Sequence, residues 1–190
     1  MATQGSGRPR NDRSLAVDFS NTIACPGCRA QDAFDSVEST RRWLRAKAPD
    51  VASEWTPSEW TGLRRFREDV RRVLRAAATG SRPPADALGS VNEALNGASP
   101  VALRFQGGRW SEVRARGRRA PTAELRLRIA RSTAEALAGP NRPRVRLCQA
   151  PGCLHLLFAR SSRQLWCSPS GCGNRVRVQR HYRRSRGGPA

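Results

Sequence analysis

Lysine, histidine, long apolar runs and C-terminal acid are the things this sequence lacks. Lys47 is the single lysine, so almost all positive charge is arginine. His155 and His181 are the only histidines, which leaves general acid–base chemistry few agents. No Ser/His/Asp set, paired-carboxylate motif or phosphate-cradling loop stands out, and the reading is that the protein is not an enzyme. No stretch nears the roughly 20 apolar residues of a membrane span. The opening MATQGSGRPRNDRS has no apolar core of signal-peptide length. A cytoplasmic protein with no membrane partner is expected, in a compartment where clustered cysteines signal metal or redox chemistry rather than structural disulfides.

Acid is absent where base is densest. Residues 141–190 hold 11 arginines and no Asp or Glu, whereas residues 1–140 hold 24 basic and 15 acidic side chains. The formal net charge of +20 attracts polyanions, and its placement directs them to the C-terminal quarter.

Hydrophobic residues at 38% suffice for a core, and 190 residues for a main domain plus a small satellite. Residues 1–13 read as a disordered arm. Helical spacing follows Asp35 or Ser36, with Val37, Thr40, Leu44 and Ala48 in register. Thr56, Pro57 and Glu59 make a capping box ahead of Leu63, Phe66, Val70, Val73, Leu74 and Ala77, and Gly80 stops that helix. Leu88, Val91 and Leu95 mark a shorter helix ending at Gly97. Val101, Leu103 and Phe105 alternate, Gly107-Gly108 offers a turn, and RWSEVRA returns as a second strand. A helix over 121–138 turns Leu125, Ile129, Thr133 and Leu137 inward. GPNRPR, from Gly139 to Arg144, breaks the pattern and is the expected domain boundary. The expected fold is mainly α with a small β-hairpin, followed by a small four-cysteine, zinc-ribbon-like finger with a C-terminal helix. The domains are then 14–140 and 144–186, with a tail at 187–190.

Four residues lie between Cys148 and Cys153 and four between Cys167 and Cys172, with thirteen residues between the pairs. Two short-spaced pairs on turn-forming QAPG and SPSG are the arithmetic of one structural, four-thiolate Zn2+ per chain. A segment of about 40 residues with few large apolar groups needs such a metal to fold. Four cysteines complete the shell, so His155 and His181 are not read as ligands. Cys25-Pro-Gly-Cys28 is a separate pair. Without the flanking strand and helix of a redox motif it reads as two free thiols or half of an intermolecular metal site.

From Asn174 no helix breaker occurs until Gly187. A helical projection places Cys172, Val176 and Gln179 toward the zinc core. It places Arg177, Arg180, His181 and Arg184 in one outward stripe beside Arg175, Val178 and Tyr182. Such a helix fits the major groove of double-stranded DNA, where arginine bonds guanine edges or phosphate.

The segment CQAPGCLHLLFARSSRQLWCSPSGCGNRVRVQRHYRR resembles the CGNR zinc finger, whose name is Cys172-Gly173-Asn174-Arg175 here. LAVDFSNT, Leu15 to Thr22, resembles the opening of the ABATE domain that typically precedes that finger. The resemblance implies a stress-linked bacterial transcription regulator, the finger binding DNA and the ABATE region sensing an effector or dimerising. It implies Cys148, Cys153, Cys167 and Cys172 as metal ligands. Asn174, Arg175, Arg177, Arg180, His181 and Arg184 are the candidate DNA contacts. The chain departs from the family in having no acid between Ala159 and Arg163, in Ser20, and in the extra Cys25/Cys28 pair. Asp18, Asn21 and Thr22 either line a pocket for an unknown small-molecule effector or cap the first helix. A single small finger reaches useful specificity with a partner, so a homodimer is expected. An RNA-binding or ribosome-associated zinc ribbon is the alternative, disfavoured by the few aromatics available for base stacking.

Overall fold

A computed structural model describes residues 14–186 except 26, 28–29, 52–54, 98–100, 107–108 and 115–120, with backbone only over 101–114. The expected arm (1–13), tail (187–190), Gly107-Gly108 turn and Cys28 lie outside the described residues.

Six helices and two hairpins make up the described chain, in the mainly α arrangement expected. Helix α1 (Leu15–Ser20) starts where Ser14 Oγ accepts the Val17 N–H, and buries Ala16, Val17, Phe19 and Ser20. Helix α2 (Val37–Lys47) opens on a reciprocal Ser36–Ser39 cap. Helix α3 (Pro57–Thr79) has the capping box foreseen, with the Glu59 N–H donating to Thr56 Oγ1 and the Thr56 N–H to Glu59 Oε2. It ends at Gly80, whose φ of 71° is left-handed. Helix α4 (Ala85–Asn96) precedes strands β1 (Val101–Gln106) and β2 (Arg109–Arg114), antiparallel with Phe105 opposite Trp110. Helix α5 (Pro121–Leu137) leads through a 3-10 turn (Gly139–Arg144) into strands β3 (Val145–Leu147) and β4 (Leu156–Phe158), then helix α6 (Asn174–Ser185).

Phe19 sits at the centre of the main core. Its ring lies 5.6 Å from Phe34, 5.8 Å from Trp43 and 6.2 Å from Phe66, so the short α1 is held by aromatic packing from three directions. Helices α3, α4 and α5 supply Leu63, Val70, Leu74, Val91, Leu125 and Ile129 around it. Three apolar positions depart from the expected registers. Val37 and Leu88 are 40% and 38% exposed because α2 and α4 begin at the edge of the core, with Ala87 inward in place of Leu88. On α3, Ala76 rather than Ala77 completes the buried face.

The second hairpin belongs to two cores at once. Successive strand residues point to opposite faces. Val145 and Leu156 are therefore buried in the main core, with Leu147 and Phe158 packed against it. Leu157 points the other way, into a small core of Cys148, Ala150, Ala159, Cys172 and Val176. The break at 139–144 is local, and it does not separate the packing on its two sides.

Candidate metal centre and nucleic-acid interface

Each cysteine pair is set by its turn. Between Cys148 and Cys153 the chain reverses through Gly152 at φ 68°, and the Cys153 N–H donates to the Ala150 carbonyl. The Cys148 N–H bonds the His155 carbonyl at 3.0 Å, so the end of β3 and the start of β4 close the knuckle. Between Cys167 and Cys172, Ser168 Oγ accepts the Gly171 N–H at 3.0 Å and a π-type turn (Pro169–Gly173) runs directly into α6. Packing is tight at Gly173: a Cβ there would lie 3.0 Å from the Trp166 ring, which would have to give by a few tenths of an ångström.

These turns bring four sulfurs together. Cys153 and Cys167 are 3.8 Å apart, Cys167 and Cys172 3.6 Å, Cys172 and Cys153 3.7 Å, and Cys148 completes the group. A tetrahedron of metal–sulfur bonds of about 2.3 Å has edges of about 3.8 Å, so the spacing fits one Zn2+. The Cys167 N–H donates to Cys148 Sγ at 3.4 Å. Burial acts against the Cys148 thiolate, yet the N–H groups of Ala150 and Cys167, together with hydrogen bonds to the Cys153 and Cys167 thiols, outweigh it and hold its pKa below the usual thiol value. Burial pushes Cys153 up to about 11, and Cys167 rises further through burial and the neighbouring Cys148 and Cys153. One thiolate thus opposes the next, and a dication is what lets all four ionise.

Beyond the sulfurs, Arg175 Nη2 lies 3.9 Å from Cys172 Sγ and offsets the formal −2 of a Zn2+ with four thiolates. His155 Nδ1 is 3.9 Å from Cys167 Sγ. Burial keeps His155 below its ordinary pKa, against a hydrogen bond to the Ile23 backbone. His181 sits on α6, its ring edge-on to Tyr182.

Helix α6 leaves the protein body after one turn. Val176 is its single buried residue, and everything from Arg177 to Arg186 is exposed. Gln179 is outward and exposed, contrary to the projection, because none of the described residues packs against the helix at that level. Arg177, Arg180, His181 and Arg184 are all exposed, Arg177 reaching back to the Pro169 carbonyl at 3.3 Å. Asn174 is exposed at the first turn, whereas Arg175 is half-buried. Val178 and Tyr182, 44% and 58% exposed, add an apolar strip.

Asp18, Asn21 and Thr22 are engaged within the protein. Lys47 Nζ bonds Asp18 Oδ2 at 2.6 Å. Thr22 Oγ1 donates to the Phe19 carbonyl at 2.7 Å and accepts from Arg67. Asn21 matches Leu156 twice, its Nδ2 donating to the Leu156 carbonyl and its Oδ1 accepting the Leu156 N–H, both at 2.8 Å. Ser14 is the N-cap of α1 in place of Asp18, and Asn21 is its C-cap through its backbone N–H, which leaves the Asn21 side chain for Leu156. The Asn21 side chain therefore serves β4 as an adjacent strand would. No local signal in the sequence indicates that pairing, across 135 residues. Asn21→Ala leaves both Leu156 backbone groups without their side-chain partner. It is expected to destabilise the fold by about 2 kcal/mol, read as a lower thermal midpoint with faster amide exchange at Leu156. Cys25 also differs from expectation: it is disulfide-bonded rather than a free thiol.

A four-sulfur centre closed by two turns and followed by an exposed basic helix defines a zinc-finger protein. Residues 144–185 match the CGNR zinc finger family, and residues 13–140 match ABATE, described as "putative stress-induced transcription regulator". The chain belongs to the ABATE family, and with its finger it is a zinc-binding regulator. Neither family is enzymatic. No curated protein matches the chain. No helix among the described residues is long and apolar enough to cross a membrane.

Proposed function

We propose that this chain is a cytoplasmic, zinc-dependent transcription regulator that binds double-stranded DNA sequence-specifically through α6. The observation that carries this reading is the exposure of α6 beyond Val176, with its arginines uncovered and its root tied to the zinc turn. Arg177, Arg180, His181 and Arg184 are the contacts, with Asn174 at the first turn and Arg175 fixing that turn to the sulfur cluster. The helical domain acts as the sensing or dimerising part. Asn21 gives it a direct route, since any effector that shifts α1 pulls on Leu156 and so on the first knuckle. Two copies of the finger would reach two half-sites.

The test is salt-dependent binding of zinc-loaded protein to a genomic DNA library, beside the variant Arg177→Ala/Arg180→Ala/Arg184→Ala. Each lost phosphate contact removes about 0.9 from the slope of log K against log salt. The triple variant should lose up to about 2.7 in slope and on the order of 100-fold in affinity at 0.15 M salt. Binding of the wild type to every fragment equally would end the sequence-specific reading. One observation favours a second reading: Tyr182 is exposed among arginines and could stack on an unpaired base. Tighter binding to structured RNA than to duplex DNA in direct competition would select that alternative.

A further inference from the structure

The sulfur cluster does not stop at four. Cys25 Sγ lies 3.8 Å from Cys153 Sγ, and Cys25, Cys153 and His155 place their ligand atoms within 4.8 Å of one another. We propose that these three residues form a second metal site for a thiophilic divalent cation such as Zn2+, sharing Cys153 with the first site and opened by reduction of the Cys25 disulfide.

Three independent observations point to a ligand role for Cys25. Its distance from Cys153 equals the edge of about 3.8 Å that a common zinc ion imposes on two thiolates. Its sulfur accepts the Leu154 N–H at 3.4 Å, the same support and length that Cys148 receives from Cys167. Such N–H groups favour a sulfur that carries negative charge. Cys25 is also fully buried, yet it lies on a loop pressed against the finger rather than within the main core. A Cβ on Gly27 would fall 2.1 Å from the Gly152 carbonyl oxygen, so only glycine permits this approach. The Cys25–Ala30 bridge, with the Cys25 N–H on the Ala30 carbonyl at 2.8 Å, fixes the base of the loop.

A dithiol gives two electrons and two protons to the Cys25 disulfide and becomes a disulfide itself, leaving two protein thiols. The cation then displaces the Cys25 proton to solvent. Five thiolates and two dications carry a formal charge of −1, against −2 for four thiolates and one, so the second ion relieves the charge of the first site. Cys153 bridges, His155 supplies nitrogen, and a fourth position stays open to solvent or a further donor.

The experiment counts zinc in the full-length protein, loaded with excess Zn2+ and desalted under nitrogen, with and without prior dithiothreitol treatment. One zinc per chain is expected with the disulfide intact and two after reduction. Cys25→Ser should hold one under both conditions, and His155→Ala should weaken the second ion at least tenfold while the first is retained. Co2+ titration of the reduced wild type should show a second step of sulfur-to-metal charge-transfer absorption that Cys25→Ser lacks. One zinc per chain in reduced wild type overturns the proposal, as does a second zinc in Cys25→Ser. If Cys25→Ser fails to keep even the first ion, the wild-type counts decide alone. None of these readouts involves nucleic acid.

Discussion

Chelating the zinc, or replacing Cys172 by serine, is expected to unfold the finger and to weaken the helical domain with it. Cys172 is wholly buried and its sulfur touches two of the other three. Structural zinc contributes an apparent ~10–16 kcal/mol in zinc-finger peptides, more than a segment this small has in reserve. Loss of the finger does not end at residue 144, because Val145 and Leu156 are part of the main core. Withdrawing two buried side chains of this size costs about 3–6 kcal/mol. The thermal midpoint of the helical domain should therefore fall on the order of 10 °C on chelation, measured by calorimetry or helical ellipticity. An unchanged midpoint would show that the hairpin is not integral to that core. Acid should act in the same direction. Burial raises the thiols of Cys153 and Cys167, so zinc binding must expel their protons, and zinc affinity falls as pH falls.

Asp32→Ala should be nearly as damaging, through a different mechanism. The Arg67 side chain is 4% exposed and its guanidinium forks onto Asp32, Nη2 reaching Oδ2 at 2.9 Å. The same group lies 5.4 Å from the centre of the Phe34 ring. Removing Asp32 leaves the buried guanidinium to Glu68, whose half-exposed carboxylate lies 3.4 Å from Nε, a loss of about 3 kcal/mol. Converting the pair to Leu and Met should recover much of that loss. The pH dependence has a definite sign. Burial raises the Asp32 pKa, but Arg67 and the Phe34 N–H outweigh it and hold the carboxyl below its ordinary value. A depressed folded pKa means full stability above the unfolded value of about 3.9 and loss as pH falls through the folded one. Denaturant melts below about pH 4 should show that loss in the wild type and not in Asp32→Asn.

What could be read beforehand was local. Thr56, Pro57, Glu59 and Gly80 act on neighbours within a turn, so the bounds of α3 follow from short-range chemistry. The four cysteines carry their geometry in their spacing and turn residues. Distant packing decides the rest. A projection turns Gln179 inward because it assumes a surface along the whole helix, and among the described residues that surface ends at Val176. GPNRPR spans the junction between the two family matches, residues 13–140 and 144–185, and the packing of Leu156 into Phe19's core crosses it. Asn21 reads like a cap or a pocket residue, and only the fold brings it to Leu156. Cys25 and Cys153 are 128 residues apart, and no spacing rule connects them.

The bareness of α6 has an energetic consequence. Twelve residues are at the short limit for a helix in water. Arg177/Arg180, Arg180/Arg183 and Arg180/Arg184 sit one turn apart, each like-charge pair costing about 0.2–0.5 kcal/mol. The zinc turn nucleates the first residues, and beyond them the helix works against its own repulsion. A strip of phosphates would cancel that repulsion, so the rod that meets a polyanion gains order from the meeting. If α6 binds DNA as proposed, recognition and the last step of folding would be one event.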